Sequence, residues 1–91
     1  MTYVLRYAGS IDWKRFQKLP ATDKQRIRDA IEKKLAVDPV QFGKPLRTSL
    51  LGCRSLRVGS YRIIYRIDKN IVEILLFGHR STVYSEMEKV L

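Results

Sequence analysis

Between Arg54 and Gly78 three runs rich in β-branched and aromatic residues follow one another with only short breaks between them. Arg54 to Val58 and Tyr61 to Ile67 flank Gly59-Ser60, a pair suited to a two-residue hairpin because glycine takes positive φ without steric cost. Asp68-Lys69-Asn70 turns the chain again, and Ile71 to Gly78 makes a third, mostly apolar strand. A chain of 91 residues built around such a meander has room for one domain, residues 1–91, burying roughly 60% of its unfolded surface. A two-domain cofactor enzyme is excluded at that size.

The segment upstream supplies helices. Thr2 to Ala8 alternates in part and predicts a first strand, which Gly9-Ser10 ends. Ser10 is a fair cap for a short helix in which Ile11, Phe16 and Leu19, with Trp13, form an apolar stripe, so that Trp13 and Phe16 read as core. Ile27, Ala30, Ile31 and Leu35 then follow helical spacing, with Lys24, Arg28, Asp29, Glu32 and Lys33 facing elsewhere, up to Asp38 before Pro39. Val40 to Leu51 reads as a loop. A short C-terminal helix is expected, capped by Ser81, Thr82 or Ser85, the last fitting a capping box. The order β-α-α-β-β-β-α predicts an α+β fold with two N-terminal helices packed on one face of a small twisted antiparallel sheet. On the middle strand, Tyr61, Ile63, Tyr65 and Ile67 form the set that helices cover best, leaving Arg62 and Arg66 on the opposite, open face.

Charge narrows the function. Eighteen Lys and Arg against nine Asp and Glu give +9, which calls for a polyanionic partner, nucleic acid before an acidic protein or a membrane surface. Nine of the basic residues lie between Met1 and Asp38, interspersed with five acidic ones as on a solvated helix face. From Lys44 to Arg66 there are six basic residues and no acidic one. A nuclease that clusters carboxylates around metal ions therefore has no ligand set here. One cysteine and one histidine exclude an intramolecular disulfide and the usual zinc cluster, and Cys53 reads as a small buried thiol. No phosphate-binding glycine loop is present, so nucleotide hydrolysis has no motif. The longest apolar run is far short of a membrane span, and the N-terminus reads as lacking a signal peptide, so a cytoplasmic location is expected.

What remains is a cluster of Arg54, Arg57, Arg62, Arg66, His79, Arg80 and Tyr84, expected around the edge and open face of the sheet. The set suits metal-free RNA cleavage, in which a ribose 2′-oxygen attacks the adjacent phosphate. That step needs loss of the 2′-proton, stabilisation of phosphorane charge and protonation of the departing 5′-oxygen. Arginines fit the second task, because a guanidinium matches two phosphate oxygens at once. His79 could move a proton, and Tyr84 could stack on a base or orient the 2′-hydroxyl. The plainer alternatives are a solvated arginine face, a structural histidine and a tyrosine packed on the sheet.

Leu56-Arg57-Val58-Gly59-Ser60-Tyr61-Arg62-Ile63-Ile64-Tyr65, followed by Gly78-His79-Arg80 and Val83-Tyr84, resembles the L-R-x-G-x-Y-R-x-x-Y and G-H-R patterns of the RelE/ParE toxin superfamily. The helix pair, the Lys44-Pro45-Leu46 segment and the length match as well. The resemblance implies a type II toxin held inactive by an acidic, RelB-like antitoxin. RelE-like members cut mRNA in the ribosomal A site without a metal or other cofactor; ParE-like members poison DNA gyrase; an inactive relative would bind its antitoxin alone. Position by position, Arg62 corresponds to the arginine that stabilises the phosphate. Arg80 corresponds to a second arginine for charge or leaving-group protonation, and Tyr84 to the tyrosine that orients the substrate. Arg57 stands where RelE proteins have a lysine, and Ser55 near another. Because arginine stays protonated above pH 12, the general base is left open, with His79 one candidate. Lys44, Arg47, Arg54 and Arg66 are the expected RNA or ribosome contacts. Retention of Arg62, Arg80 and Tyr84 favours mRNA cleavage over the gyrase alternative.

Overall fold

The computed structural model describes residues 3–46 and 52–90. Five strands form one sheet in the order β1-β5-β4-β3-β2, where β1 is Val4–Tyr7, β2 Lys44–Pro45, β3 Arg54–Val58, β4 Tyr61–Asp68 and β5 Ile71–His79. The β3-β4-β5 meander is antiparallel as expected, with Gly59 at φ 59° in the first turn and Lys69 at φ 58° in the second. The α+β architecture stands, but the sheet is mixed, because β1 pairs parallel to β5 from Val4↔Ile71 to Tyr7↔Ile74. Alternation of side chains assigns faces to a strand and is the same for either direction, so the pattern in residues 2–8 carries no information on polarity.

Helix α1 (Trp13–Gln17) is capped by Asp12, not Ser10; the Asp12 carboxylate accepts from the Arg15 backbone N–H at 3.1 Å. The Ser10 hydroxyl instead donates to the Leu75 carbonyl at 3.3 Å. Helix α2 (Ala21–Ala30) runs on into a wider π turn over Ile31–Leu35, and together they bury Ile27, Ala30, Ile31 and Leu35 against the sheet. The expected loop after Asp38 contains more order than its composition suggests. Asp38 caps a further short helix, α3 (Pro39–Phe42), by accepting from Gln41 N–H, with Pro39 in the first turn where its missing N–H costs nothing. Gly43 then passes so close to Tyr65 that a Cβ there would lie 1.7 Å from the phenol oxygen. Tyr65 is wholly buried and donates its hydroxyl to the Pro39 carbonyl at 2.6 Å, tying α3 to the middle of the sheet.

Two apolar layers sandwich the sheet. The larger joins Ile11, Phe16, Ile27, Ile31 and Leu35 to Leu56, Ile63, Tyr65, Val72 and Ile74. The smaller joins Cys53, Ile64, Leu75 and Leu76 to Val83 of helix α4 (Val83–Val90), with Met87 packed against it. A bulge in β5 at Leu75, between the pairs Ile64↔Leu76 and Tyr65↔Ile74, puts Leu75 and Leu76 into the same small layer. The face expected to be open is thus partly roofed: Ile64 is wholly buried, and only the flank beside α4 presents arginines. Helix α4 starts at Val83, which leaves Thr82 in the cap position and Ser85 inside the helix, so the capping box at Ser85 does not form. Trp13 departs from its expected core role. It is 45% exposed and contacts Tyr7, Phe16 and Phe77 edge-on at the rim of the larger layer, while Phe16 is buried.

Candidate functional site

Register fixes which cations share a face. Arg57 and Arg62 stand directly opposite each other on β3 and β4, and Lys44 on β2 stands opposite Ser55. Directly opposed residues point to the same side. Lys44, Ser55, Arg57, Arg62 and Arg66 therefore line the side that carries α4. Like charges held directly across a strand pair repel, so the Arg57/Arg62 pair opposes folding. Arg62 is half-buried, and its Nε, like the Ser55 hydroxyl, is buried with no hydrogen-bond partner among the described residues. Arg57 is exposed and, among the described residues, makes a single long contact, 3.5 Å, from its Nε to the Gly59 carbonyl. Two guanidiniums side by side without a carboxylate partner among the described residues are suited by charge and geometry to an anion.

The remaining arginines divide. Arg66 donates to Glu73 at 2.6 Å, and the other oxygen of that carboxylate faces Arg6 at 3.3 Å, so Arg66 is largely neutralised. Arg54 is on the opposite side from Arg57, facing Tyr65. Its Nη2 donates to the carbonyls of Val40 and Gly43 at 2.6 and 2.9 Å, which holds α3 and the start of β2 in place. The sequence alone places Arg54 among the open-face cations, but alternation with Arg57 sends it to the helix-covered side. Arg47 lies outside the described residues. Lys44 is exposed at the sheet margin.

His79 is also on the helix-covered side, opposite Tyr61, whose ring it meets edge-on at 5.8 Å. Burial raises the pKa of the Tyr61 hydroxyl above the ordinary phenol value, and the Asp23 carboxylate adds to the rise. The Leu75 bulge causes this placement of His79, because it inverts the parity of every later residue in β5. The His79 Nδ1 accepts the Ser81 backbone N–H at 3.1 Å and lies 2.7 Å from the Ser81 hydroxyl. A backbone N–H can only donate, so in this arrangement a neutral ring carries its hydrogen on Nε2 and presents a hydrogen-bond donor there. These bonds, with Arg80 N–H to the Ser60 carbonyl at 2.9 Å, fix the turn that leads from Arg80 into α4.

Tyr84 is 39% exposed, on the helix that roofs the small layer. Val83 points down into that layer, and Glu86 reaches the outer edge of β5 to pair with Arg15. Tyr84 is two residues, about 200° of helical rotation, from Glu86 and so occupies the other flank of α4, away from that edge. The structure thus places Arg57, Arg62 and the helix that bears Tyr84 on one side of the sheet, with Lys44 at the margin, and sets Arg54 and His79 behind it. The Arg15–Glu86 pair has no signal in the sequence, since nothing in residue spacing joins a first-helix arginine to a last-helix glutamate. No group of three or more potential metal ligands occurs among the described residues, and none of their helices is long and apolar enough to cross a membrane.

Residues 11–84 match the family model described as ParE toxin of type II toxin-antitoxin system, parDE. The toxin RelG of Mycobacterium tuberculosis is 35% identical over 86 residues, covering 92% of this chain and 98% of that protein. The toxin RelE of the same organism is 37% identical over 70 residues, 75% of this chain and 72% of its own length. In the crystal structure of the M. tuberculosis toxin-antitoxin complex RelBE2, a chain 34% identical superposes with TM-score 0.76 over 88% of this chain and 100% of its own. The free Escherichia coli toxin RelE, solved as a double arginine-to-alanine mutant, shares the fold at TM-score 0.72 with 24% identity, each chain covered in full. The chain belongs to the RelE/ParE superfamily of type II toxin-antitoxin toxins.

Proposed function

We propose that this toxin is a ribosome-dependent mRNA endonuclease working without a metal, in the cytoplasm, and silenced by an acidic RelB-like antitoxin. The observation that carries the reading is the Arg57/Arg62 pair, with the buried, unpartnered Nε of Arg62, on the side of the sheet that carries α4 and its Tyr84. A scissile phosphate seated there neutralises the pair. As the 2′-oxygen bonds to phosphorus, the charge gathering on the phosphorane falls on both guanidiniums. The P–O5′ bond then breaks, leaving a 2′,3′-cyclic phosphate and a 5′-oxygen that takes a proton, for which Arg80 at the turn is the nearest cation in sequence to Tyr84. No group on this face is a competent base at neutral pH, so the 2′-proton passes to a phosphate oxygen or solvent, and rate comes from charge stabilisation and positioning. Tyr84 stacks on a base and holds the 2′-oxygen in line. Glu73 and Glu86, which border the face, are paired with Arg6, Arg66 and Arg15, and no cluster of three potential metal ligands occurs among the described residues. The ribosome supplies the rest of the substrate's alignment, and solved relatives include RelE-RelB complexes, which supports the antitoxin partner.

The test is cleavage of a defined mRNA by the purified toxin with and without programmed ribosomes. Cuts confined to ribosome-bound mRNA are expected, with Arg62→Ala slowing the chemical step about 10²- to 10³-fold while ribosome affinity changes little. The match to a ParE family model favours a second reading, gyrase inhibition. Intact mRNA together with blocked DNA supercoiling would establish that reading and overturn the first.

A further inference from the structure

Tyr84 rides on a helix of 8 residues, too short to hold its shape or position alone, so the seat of α4 decides where its ring stands. Part of that seat is apolar: Val83 and Met87 rest on Ile64, Leu75 and Leu76. Apolar contact is non-directional and allows a short helix to roll or slide. The directional restraint comes from the other side of the sheet. Strand β1 pairs with β5 only as far as Ile74, so the outer edge of β5 is bare of strand from there to His79. Around that edge the Arg15 guanidinium of α1 meets the Glu86 carboxylate of α4, joining the two helical layers. The passage runs close over Gly78: a Cβ there would stand 3.3 Å from the Glu86 carboxylate and 3.7 Å from Val83 Cβ.

We propose that Arg15 and Glu86 form a clamp around the free edge of β5 that sets the rotation of α4 and so the position of Tyr84 on the side of the sheet that carries Arg57 and Arg62. The clamp makes Arg15 and Glu86 positioning residues, acting through Tyr84 and not on the substrate, and this role rests on the cleavage reading above. Glu86 and Tyr84 lie on opposite flanks of α4, so a roll that frees Glu86 turns Tyr84 out of its position by the same angle.

The experiment compares Arg15→Ala, Glu86→Gln and the charge exchange Arg15→Glu with Glu86→Arg in the full chain. One measurement is amide hydrogen exchange over residues 83–90; the other separates single-turnover cleavage from ribosome affinity. Each single variant is expected to speed exchange in α4 by about 2- to 5-fold, the scale of an exposed ion pair, and the charge exchange to restore it. Cleavage is expected to slow roughly 5- to 50-fold with affinity nearly unchanged, since small misplacements of positioned groups cost up to about 10². Glu86→Gln is the sharper variant. Removing a negative charge near a polyanion can only strengthen electrostatic attraction, so slower cleavage cannot be ascribed to lost RNA contact. Unaltered exchange in both single variants would overturn the clamp, and faster exchange with undiminished cleavage would overturn the positioning role. A wild-type protein that does not cleave, with α4 still loosened in the variants, would overturn the cleavage reading while upholding the clamp.

Discussion

Replacing Arg62 by methionine should make the protein more stable and nearly inactive. Arg62 faces Arg57 directly across β3 and β4, and its Nε is buried without a partner. A like-charged cross-strand pair costs about 0.2 to 1 kcal/mol. An unsatisfied buried donor costs about 1 to 3 kcal/mol, discounted here because the rest of the guanidinium reaches solvent. Methionine keeps most of the unbranched stem and removes both penalties, for a net gain of about 1 to 2 kcal/mol. In a domain of this size that corresponds to a melting temperature higher by roughly 4 to 16 °C. Cleavage should fall about 10²- to 10³-fold, as for loss of one preorganised donor to a developing oxyanion. Melting followed by circular dichroism in low-salt buffer free of phosphate and sulfate reads the first quantity, and single-turnover cleavage on programmed ribosomes reads the second. Added sulfate should raise the wild-type melting temperature more than that of the variant, because an anion satisfies the same two arginines. A variant that melts below wild type would refute the claim that this pair is held against its own folding preference. One that cleaves within tenfold of wild type would refute its assignment to the reaction.

Gly43→Ala should destabilise by about 2 to 3 kcal/mol in urea titration, since φ there is an unstrained −99° and the obstacle is the Tyr65 ring; a change under about 0.5 kcal/mol would show that the ring can yield. Tyr65→Phe should cost about 1 kcal/mol for the lost bond to Pro39. Burial raises the Tyr65 pKa above 10.0, so its contribution is complete below the unfolded value and fades as pH rises through the folded one; the variant's urea midpoint should fall less steeply above about pH 10. Glu73→Gln releases Arg6 and Arg66 from their shared counter-ion and should steepen the salt dependence of RNA binding by roughly one to two phosphate contacts, whereas an unchanged slope would show that neither arginine reaches RNA. Lys44→Ala should flatten the same slope by about one contact.

Much of this is legible in the sequence where local chemistry and pattern agree. Gly59-Ser60 specifies the hairpin, and the hairpin places Arg57 across from Arg62, so the centre of the candidate site follows from turn chemistry and a period of two. Pattern fails where one residue alters the period. The extra Leu75 inverts the end of β5 and sends His79 behind the sheet, and no propensity distinguishes that leucine from its neighbours. Arg54 misleads for a simpler reason: a charged residue on a strand reads as outward until backbone carbonyls are found for it, and those of Val40 and Gly43 come from a segment whose composition describes a loop. The parallel pairing of β1 and the Arg15–Glu86 contact join positions far apart in the chain, where spacing carries no information.

That parallel pairing also imposes an order of events on folding. Val4 meets Ile71 only after nearly the whole chain has been laid down between them, whereas the β3-β4-β5 hairpins close locally. Closing the long loop costs entropy before any contact offsets it, so the meander forms first and the N-terminal strand docks late. During synthesis the residues of β1 therefore wait for β5 to be made before they find their place, and the edge of β5 that receives them stays open until then.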